Sequence, residues 1–482
     1  MDKKDLKQIN DYLWEVRREL NPKMRVPARI YASDSILNEI LQDDSLNQLM
    51  KGAMLPGIVS PAMVMPDCHQ GYSVPIGFVG ATRISDGVIS PGACGFDINC
   101  GMRLLVSSWS YQEIRGHLKK LIEEIYKQIP SGLGMGRRGE RGFKIKEIDD
   151  ILTLGSSYLV NSGLGQKDDL EKCENQGRLD WADPGTVSNQ AKKRARDQVG
   201  TLGSGNHFLE IQRVDEIFDE NIASIFGLKK DQISLMIHCG SRGLGHQVCS
   251  DYLRSLIPVQ KKYGIEMLDR EFVCAPFQSK EGKRYFAAMA AAANYAWANR
   301  QMITFFLRKS WIKALGKKDS SLDVVYDVAH NIIKREEYEV EGKIQDLLVH
   351  RKGATRAFPP NHPEIPSSYQ ETGQPVLIPG SMGTGSYVLA GRKEGVQSFY
   401  STSHGAGRVM SRNHARKKFR GEEEMSKLKN KGILLRSSSV KGITEEAPEA
   451  YKNIDEVVNV VDRAGLSKKI ARLKPLAVIK GE

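Results

Sequence analysis

Side chains that can bind a metal stand at strand ends or beside glycine-rich turns, at His69, Asp97, Cys100, His207, His238, His330 and Asn331. Thiolate and imidazole groups suit zinc, cobalt, iron or manganese better than magnesium or calcium. The residues are far apart in the chain, so their spacing is a weak signal, and a single histidine of this kind is more often a buried structural residue. Their shared setting favours a transition-metal site, in which a thiolate at Cys100 can bridge two ions while the carboxylate of Asp97 binds only one.

A second chemically dense run begins at His404, which is followed by Gly405, Ala406, Gly407 and Arg408. Small residues leave the backbone N–H groups free to hold a phosphate. The guanidinium of Arg408 adds a positively charged fork of donors beside them. The run therefore favours a phosphate site at which a histidine can attack phosphorus.

Arginines recur every four residues from this run onward, at Arg408, Arg412, Arg416 and Arg420. If the segment is helical, they form one cationic stripe that leads away from His404 and suits the phosphates of RNA. The 70 lysines and arginines exceed the 58 aspartates and glutamates, giving a net charge of +12 that favours a polyanionic partner. The alternative is a solvent-exposed basic face, which is the usual role of a charge run.

Two short apolar runs lead directly into predicted ligands, 233–237 into His238 and 324–329 into His330. We interpret both as strands whose ends meet at the carboxyl edge of a parallel sheet, where α/β proteins bind ligands. Apolar runs cut by glycine and proline between 54 and 106 predict further strands joined by tight loops.

Helices are predicted in three other parts of the chain. Alanine-rich 284–308 predicts a buried helix, and 110–130 predicts another. Leu6, Ile9, Leu13 and Val16 have helical spacing, which predicts an amphipathic helix over 1–20.

The length of 482 residues corresponds to about three domains or one unusually large one. No linker rich in proline or serine divides the chain, which favours a single large α/β domain over 1–482. The polar, glycine-rich and basic stretch 131–200 predicts a surface insertion.

The composition also indicates the compartment. No apolar run approaches the roughly 18 residues of a membrane span, and the first residues lack the apolar core of a signal peptide. Seven scattered cysteines with no CxxC pair argue against a secreted disulfide framework. We therefore expect a cytoplasmic protein with no membrane partner.

Seven motifs occur in a fixed order between about residues 60 and 415: PDCHQGYSVPIG, GFDINCGMR, GSGNHFLE, HCGSRGLGH, DVAHN, PGSMGTGSY and SHGAGR. Together with the tail segments APEAYKNIDEVV and LKPLAVIKG, they resemble the RtcB family of RNA-splicing ligases. The resemblance implies a mixed α+β fold with β-sheets flanked by helices and an active site in a central cleft.

The resemblance also implies the activity, a GTP- and Mn²⁺-dependent ligase that joins RNA 2′,3′-cyclic phosphate or 3′-phosphate ends to 5′-hydroxyl ends. It implies a GMP–histidine intermediate at His404. It also implies two Mn²⁺ ions, held by Asp97, Cys100, His207, His238 and His330 with Cys100 shared. The guanylate pocket that it implies consists of Asn206, Phe208, Glu210, Ser381, Ser386, His404, Gly405, Ala406, Gly407, Tyr451 and Lys480. In this pocket Glu210 reads the N–H edge of guanine.

The expected partner is RNA, with tRNA exon halves as the expected substrate, RNA repair as a further role and the family's activator archaease as a candidate partner. Arg408, Arg412 and Arg416 are the expected RNA-binding residues. Two alternatives remain open at this point. One is a metal-dependent phosphoesterase that hydrolyses RNA ends without joining them, and the other is a non-catalytic RNA-binding protein with structural metals.

Overall fold

A computed structural model of the chain describes residues 1–132, 136, 142–266, 268–316, 321–437 and 439–481. These residues combine helices with two large β-sheets, so the mixed α/β class is confirmed. Most of the basic run at 133–141 lies outside the described residues. That the whole chain forms one domain stays a prediction.

The described residues form 19 strands. In chain order they are β1 (Leu6–Asn10), β2 (Leu13–Val16), β3 (Ala28–Tyr31), β4 (Ile58–His69), β5 (Ile76–Arg83), β6 (Val88–Ile89), β7 (Gly101–Ser110), β8 (Phe208–Ile217), β9 (Gln232–Cys239), β10 (Ala275–Pro276), β11 (Leu322–Ala329), β12 (Asn331–Val340), β13 (Lys343–Lys352), β14 (Ala354–Arg356), β15 (Pro375–Ile378), β16 (Ser386–Gly391), β17 (Ser401–Ser403), β18 (Leu434–Ser437) and β19 (Ser467–Lys480).

The α-helices of the described residues number 15. In chain order they are α1 (Asp34–Ile40), α2 (Ser45–Gly52), α3 (Tyr111–Ile114), α4 (Leu118–Gln128), α5 (Ile145–Leu154), α6 (Ser156–Asn161), α7 (Lys167–Glu171), α8 (Asn189–Ala195), α9 (Glu220–Ile225), α10 (Arg242–Lys262), α11 (Lys280–Leu315), α12 (Arg412–Lys418), α13 (Gly421–Asn430), α14 (Val440–Glu445) and α15 (Ile454–Arg463).

Two sheets carry most of the strands. The first has seven strands in the order β1-β2-β3-β4-β5-β13-β12, and the second has eight, in the order β11-β7-β9-β8-β19-β16-β15 with β18 beside β19. A buried cluster joins them, with Val79 and Leu347 from the first sheet and Val376 and Leu389 from the second. The chain passes from the second sheet to the first at His330, the one residue between β11 and β12.

The eight-stranded sheet is antiparallel except where β18 pairs with β19. The expected parallel sheet is therefore wrong. Strands β9 and β11 are both antiparallel to β7, which lies between them, so they still run in the same direction and end at the same edge. The strands expected between 54 and 106 are confirmed as β4, β5, β6 and β7.

The long helix α11 forms the centre of the largest buried cluster. It begins after Ser279, whose hydroxyl accepts the N–H of Gly282, and ends at Gly316 in the left-handed conformation. Its alanines and aromatic side chains are buried on most faces, which confirms the buried helix expected at 284–308. The helix expected at 110–130 is also confirmed, as α3 and α4.

Two expectations about local structure are wrong. Residues 1–20 form the strands β1 and β2, because Asn10 closes a hairpin turn by accepting the N–H of Tyr12, and the hairpin pairs with β3. The described part of 131–200 is largely helical, and Ile148, Ile151 and Leu159 are buried in the same cluster as α11. These helices therefore add to the core, which a surface excursion would not do.

In the part of the chain that the structure describes, every helix is too short or too polar to cross a membrane.

Candidate active site

The predicted ligands lie at one edge of the eight-stranded sheet, although they come from distant parts of the chain. Strands β7 and β8 begin at this edge, whereas β9, β11 and β19 end there, because neighbouring strands are antiparallel. The backbone register pairs Phe208 with both His238 and Lys480, and pairs Gly101 with Ala329. Strand starts and strand ends therefore alternate along this edge, and each contributes a residue to the site.

The five donor side chains, which we call the donor cluster, form a chain centred on Cys100. On one side, Cys100 Sγ lies 3.2 Å from His207 Nε2, which lies 2.8 Å from Asp97 Oδ2. On the other side, Cys100 Sγ lies 3.2 Å from His238 Nε2, which lies 3.3 Å from His330 Nε2. The structure thus brings all five predicted ligands together, with the thiol in the place that a shared ligand requires.

The geometry and chemistry of the donor cluster fit a transition metal. Neighbouring donor atoms of the cluster are 2.8–3.3 Å apart, slightly closer than the roughly 3.3–3.7 Å between two ligands of one tetrahedral ion. The donor atoms of Cys100, His207 and His238 all lie within 4.8 Å of one another. Sulfur, nitrogen and carboxylate oxygen in one buried group suit manganese, iron, cobalt or zinc.

Burial controls the protonation of the donor cluster. It lowers the pKa of His238 and His330 well below the ordinary range, so both imidazoles are neutral and can offer a lone pair. Burial, reinforced by Asp97, raises the pKa of the Cys100 thiol well above its ordinary value in the protein alone. A divalent cation supplies the positive charge that converts such a thiol into a thiolate.

The turn after β9 holds the carboxylate of Asp97. Asp97 Oδ1 accepts the backbone N–H of Ser241 at 3.0 Å and lies 3.3 Å from its hydroxyl. A Cβ at Gly240 would lie 2.4 Å from the same oxygen, so only glycine lets the carboxylate approach. Burial tends to raise the pKa of Asp97, but His207 outweighs it and lowers that pKa, so Asp97 is ionised.

His404 follows β17 and packs against the donor cluster. Its ring centroid lies 4.8 Å from that of His330. His404 Nδ1 lies 2.6 Å from Asp67 Oδ2, and the same oxygen accepts the backbone N–H groups of His404 and Gly405. Burial tends to raise the pKa of Asp67, but the charge and hydrogen bonds of His404 outweigh it and lower that pKa. Because a carboxylate only accepts, Nδ1 carries the proton and Nε2 is the nitrogen left to react.

A cleft of about 820 Å³ opens at this edge, within the roughly 300–1,000 Å³ typical of small-molecule sites. Both His238 and His330 line it, so the donor cluster and the cleft share a wall. The predicted nucleotide- and RNA-binding residues that line it are Asn206, Phe208, Ser381, His404, Gly405, Ala406, Gly407, Arg408, Arg412, Tyr451 and Lys480.

Glu210 and Ser386 are not among the lining residues, but a shared partner links them. Gln212 Nε2 donates to Glu210 Oε2 at 2.7 Å and to Ser386 Oγ at 3.1 Å. Burial raises the pKa of Glu210 to about 8, even though Gln212 and Lys480 lower it. In the protein alone, this carboxyl group is therefore mostly protonated at neutral pH.

The buried carboxylate of Glu446 contacts the positively charged side chains of the cleft wall. This residue was not singled out from the sequence. It accepts from Arg412 Nε at 3.0 Å and from Arg408 Nη1 at 3.4 Å, and it also accepts the hydroxyl of Tyr451. Lys480 Nζ lies 3.9 Å away. Burial tends to raise the pKa of Glu446, but Lys480 and the two arginines outweigh it and lower the pKa to about 2. Glu446 therefore stays ionised and fixes these side chains in the wall.

The four arginines do not form one helical stripe, so that expectation is wrong. Helix α12 is capped by Ser411 and contains only Arg412 and Arg416, whereas Arg408 precedes it in the cleft wall. Arg416 does not line the cleft and lies 3.4 Å from Glu445. RNA binding by these residues stays a prediction.

The sequence carried uneven signals for the residues that were missed. Asp67 stands inside the run PDCHQG, two residues before a histidine, so its type and setting were visible although its partner was not. Glu446 directly precedes the tail segment APEAYKNIDEVV, but nothing in its own neighbours marks it as functional, and only the fold brings it to Arg408 and Lys480.

Comparison with known proteins is consistent with this site. The family model described as tRNA-splicing ligase RtcB matches residues 48–481. Proteins named tRNA-splicing ligase RtcB from Thermococcus kodakarensis and Archaeoglobus fulgidus are each 50% identical over 479 residues, which is 99% of either chain. The protein of the same name from Nanoarchaeum equitans is 50% identical over 480 residues, again 99% of either chain. Because the match spans the donor cluster, His404 and the cleft, the chain belongs to the RtcB family.

Proposed function

We propose that this protein is a GTP- and Mn²⁺-dependent RNA ligase that joins ends carrying a 2′,3′-cyclic phosphate or 3′-phosphate to ends carrying a 5′-hydroxyl. Family membership supports RNA joining, since the relatives are named tRNA-splicing ligases. The single observation that carries the chemistry is His404, which lines the cleft beside the donor cluster with Nδ1 engaged by Asp67 and Nε2 left to react.

His404 is the proposed nucleophile of the first step. Its Nε2 attacks the α-phosphorus of GTP, so that an N–P bond forms while the bond to pyrophosphate breaks. Asp67 keeps the proton on Nδ1 and stabilises the positive charge that develops on the ring.

Hydrolysis of a cyclic phosphate and two transfers complete the proposed reaction. Water first opens a cyclic phosphate, where present, to a 3′-phosphate. GMP then passes from His404 to an oxygen of that 3′-phosphate. The 5′-hydroxyl of the other RNA finally attacks the phosphorus of the activated 3′-phosphate, and GMP leaves as the new phosphodiester forms.

The donor cluster is the proposed place for two Mn²⁺ ions, with Asp97 and His207 on one side of Cys100 and His238 and His330 on the other. Ions held by these residues would neutralise charge on the reacting phosphates, and such electrostatic stabilisation together with positioning supplies most of the acceleration in phosphoryl transfer. His330 both belongs to the cluster and packs against His404, so the nucleophile is held next to this positive charge.

The cleft is the proposed guanylate pocket. Phe208, Tyr451 and Lys480 offer apolar and polar contacts to a purine, and the 381–386 loop offers hydroxyl groups. Glu210 is the proposed acceptor for the N–H groups of guanine, a role in which it must be ionised. Gln212 holds this carboxyl group in place.

The basic wall of the cleft is the proposed entry for RNA. Arg408 and Arg412 line it, and Arg416 extends the positive surface along α12. We propose tRNA exon halves as the substrate, with repair of other broken RNAs as a further role and archaease as a candidate activator.

Guanylate labelling tests the proposal directly. The protein is incubated with α-labelled GTP and Mn²⁺, and the protein-bound label is measured. We expect a label that acid removes, as a phosphoramidate requires, and none with His404→Ala. His117→Ala changes an exposed histidine that does not line the cleft, so this matched control should be labelled normally.

Either of two results would count against the ligase. Absence of label in the parent protein, together with release of phosphate from RNA 3′ ends, would favour the phosphoesterase. Equal labelling of the His404→Ala protein would place the covalent bond on another residue.

A further inference from the structure

A single buried guanidinium, that of Arg300 in α11, connects the chain segments that carry three of the five donors. Arg300 Nη1 donates to the backbone carbonyl oxygens of Asn99 and Cys239, both at 2.8 Å. Its Nε and Nη2 donate to the two carboxylate oxygens of Asp327 at 2.9 and 2.8 Å. The side chains of Arg300 and Asp327 are wholly buried.

Each of these contacts is close in sequence to a predicted ligand. Asn99 directly precedes Cys100, and Cys239 directly follows His238. Asp327 lies on β11, three residues before His330. The guanidinium therefore ties together the segments of Cys100, His238 and His330, the half of the donor cluster nearest to His404.

Asn99 shows how closely this connection is specified. It adopts the left-handed conformation, with φ of 52°, one residue before Cys100. Its side-chain oxygen accepts from Arg300 Nη2 at 3.1 Å, and its side-chain nitrogen donates to the carbonyl of Ala293 in the same helix. Two residues of α11, Ala293 and Arg300, therefore hold the left-handed backbone that positions Cys100.

We propose that Arg300 is a positioning residue that sets the spacing of the Cys100–His238–His330 half of the donor cluster, and so governs metal binding in that half. The inference rests on the proposed metal centre. Partners of this kind orient the ligands of a metal, and changing one typically costs 10–100-fold in affinity. Lysine cannot replace Arg300, because one ammonium cannot reach the five acceptors that the planar guanidinium reaches.

The chain offers a matched control in Arg103. Arg103 is equally buried, and its Nε donates to the same Asp327 oxygen at 2.7 Å. Its other contacts are with the side chains of Gln301, Thr304 and Cys173, not with the backbone next to a ligand. Replacing either arginine by lysine therefore perturbs the same buried carboxylate, but only Arg300→Lys releases the loops of Cys100 and His238.

The test titrates Mn²⁺ alone into the metal-free parent, Arg300→Lys and Arg103→Lys proteins by calorimetry. Co²⁺ then replaces Mn²⁺, so that the thiolate-to-cobalt absorption band reports on Cys100. We expect two equivalents in the parent and in Arg103→Lys. In Arg300→Lys we expect the ion on the side of His238 and His330 to be weakened 10–100-fold, with an altered charge-transfer band. The other ion, which shares only Cys100 with that side, should be weakened less.

The outcomes distinguish the proposed metal centre from the proposed role of Arg300. A parent protein that binds no Mn²⁺ overturns the metal centre and this inference with it. A parent that binds two ions, with Arg300→Lys within twofold of it for both, overturns only the role of Arg300. Equal weakening in Arg103→Lys also overturns it, because the effect would then belong to the buried carboxylate.

A second variant covers the case in which Arg300→Lys does not fold. In Asn99→Gly the new glycine adopts the left-handed conformation readily, but the side-chain contacts to Arg300 and Ala293 are removed. We expect the ion on the side of His238 and His330 to bind more weakly than in the parent, by a smaller factor than in Arg300→Lys. Unchanged binding of both ions would overturn the inference.

Discussion

Asp67 decides which nitrogen of His404 can react. Its carboxylate engages Nδ1 and two backbone N–H groups through one oxygen. Asp67→Asn replaces an obligatory acceptor by an amide that can also donate, so the other tautomer becomes accessible and Nε2 loses its lone pair. We expect the rate of guanylylation in a single turnover to fall by roughly 10²–10⁴-fold.

Metal binding provides the control for Asp67→Asn. Asp67 is not part of the donor cluster, so Mn²⁺ affinity should stay within about threefold of the parent. If Mn²⁺ affinity falls as far as the labelling rate, the site has collapsed and the tautomer argument fails.

Glu210 gives a second prediction at the residue scale, on pH dependence. Its pKa is raised to about 8 by burial, whereas a carboxyl that accepts from guanine must be ionised. Binding of GTP at pH 7 should therefore release a proton, and the affinity should rise with pH by up to about tenfold per unit until it levels off above the pKa. Nucleotide titrations between pH 6 and 8.5 measure this slope.

Glu210→Gln is the matched variant for this slope. The amide cannot titrate, so it should bind GTP weakly and with little dependence on pH. The same group also affects stability: a carboxyl whose pKa is raised by folding binds its proton more tightly in the folded state. The free energy of unfolding should therefore fall as the pH rises toward 8, and less so in Glu210→Gln. A pH-independent affinity of the parent would contradict the assignment.

Residue types were readable from the sequence, but most residue partners were not. His404 and the candidate ligands stood out because imidazole, thiol and carboxylate groups at strand ends or glycine turns are chemically conspicuous. The resemblance to the RtcB family then selected five of those candidates as ligands. The pairing of Asp67 with His404 spans 337 positions, and Glu446, which follows α14, lies 3.9 Å from Lys480 at the end of β19. Such contacts depend on the tertiary fold, which local spacing does not encode.

At the scale of elements, the turn after β9 is as important as the ligands themselves. Gly240→Ala places a Cβ 2.4 Å from the present position of Asp97 Oδ1, so the carboxylate or the turn must move. We expect Mn²⁺ affinity to fall about tenfold or more, by the reasoning that applies to displaced metal ligands. Gly116→Ala is the control, since a Cβ there meets nothing within 4 Å. Equal affinities of the two variants, measured by calorimetry, would contradict the argument.

Element types were predictable where one pattern was long and unambiguous. The alanine-rich run of α11 could hardly form anything but a helix. The spacing of Leu6, Ile9, Leu13 and Val16 was misleading, because Ile9 is exposed and the turn at Asn10 splits the segment into two paired strands. Pairing with β3 rather than local periodicity decided that segment.

At the scale of the whole molecule, the donor cluster joins segments that are remote in the chain, and His330 joins the two large sheets. Bound metal should therefore stabilise the entire fold. At a free Mn²⁺ concentration of a hundred times its Kd, one site adds about 2.7 kcal/mol to the free energy of unfolding. Thermal unfolding with and without a chelator measures this gain.

Cys100→Ala is the variant that tests this stabilisation. It removes the central donor, so metal should no longer raise the midpoint of unfolding, and guanylylation should be lost. Cys274→Ala removes another buried cysteine, which packs in a hydrophobic cluster with Ile36 and Leu46 that contains no residue of the donor cluster, and it should retain the response to metal. Persistent stabilisation of the Cys100→Ala protein by Mn²⁺ would contradict the central place of the thiol.

The sheet edge at which strand starts and strand ends alternate also determines where the chain can tolerate insertions and deletions. One residue inserted into β9 ahead of His238 would shift the register and turn this imidazole to the opposite face of the sheet. One residue deleted between β11 and β12 would remove His330 or its neighbours from the crossing between the sheets. The hairpin tip at Glu341 and Gly342 is about 33 Å away along the ten residues of β12, and insertions there should leave the chemistry intact. Natural length variation and the placement of affinity tags or fused domains should follow the same division.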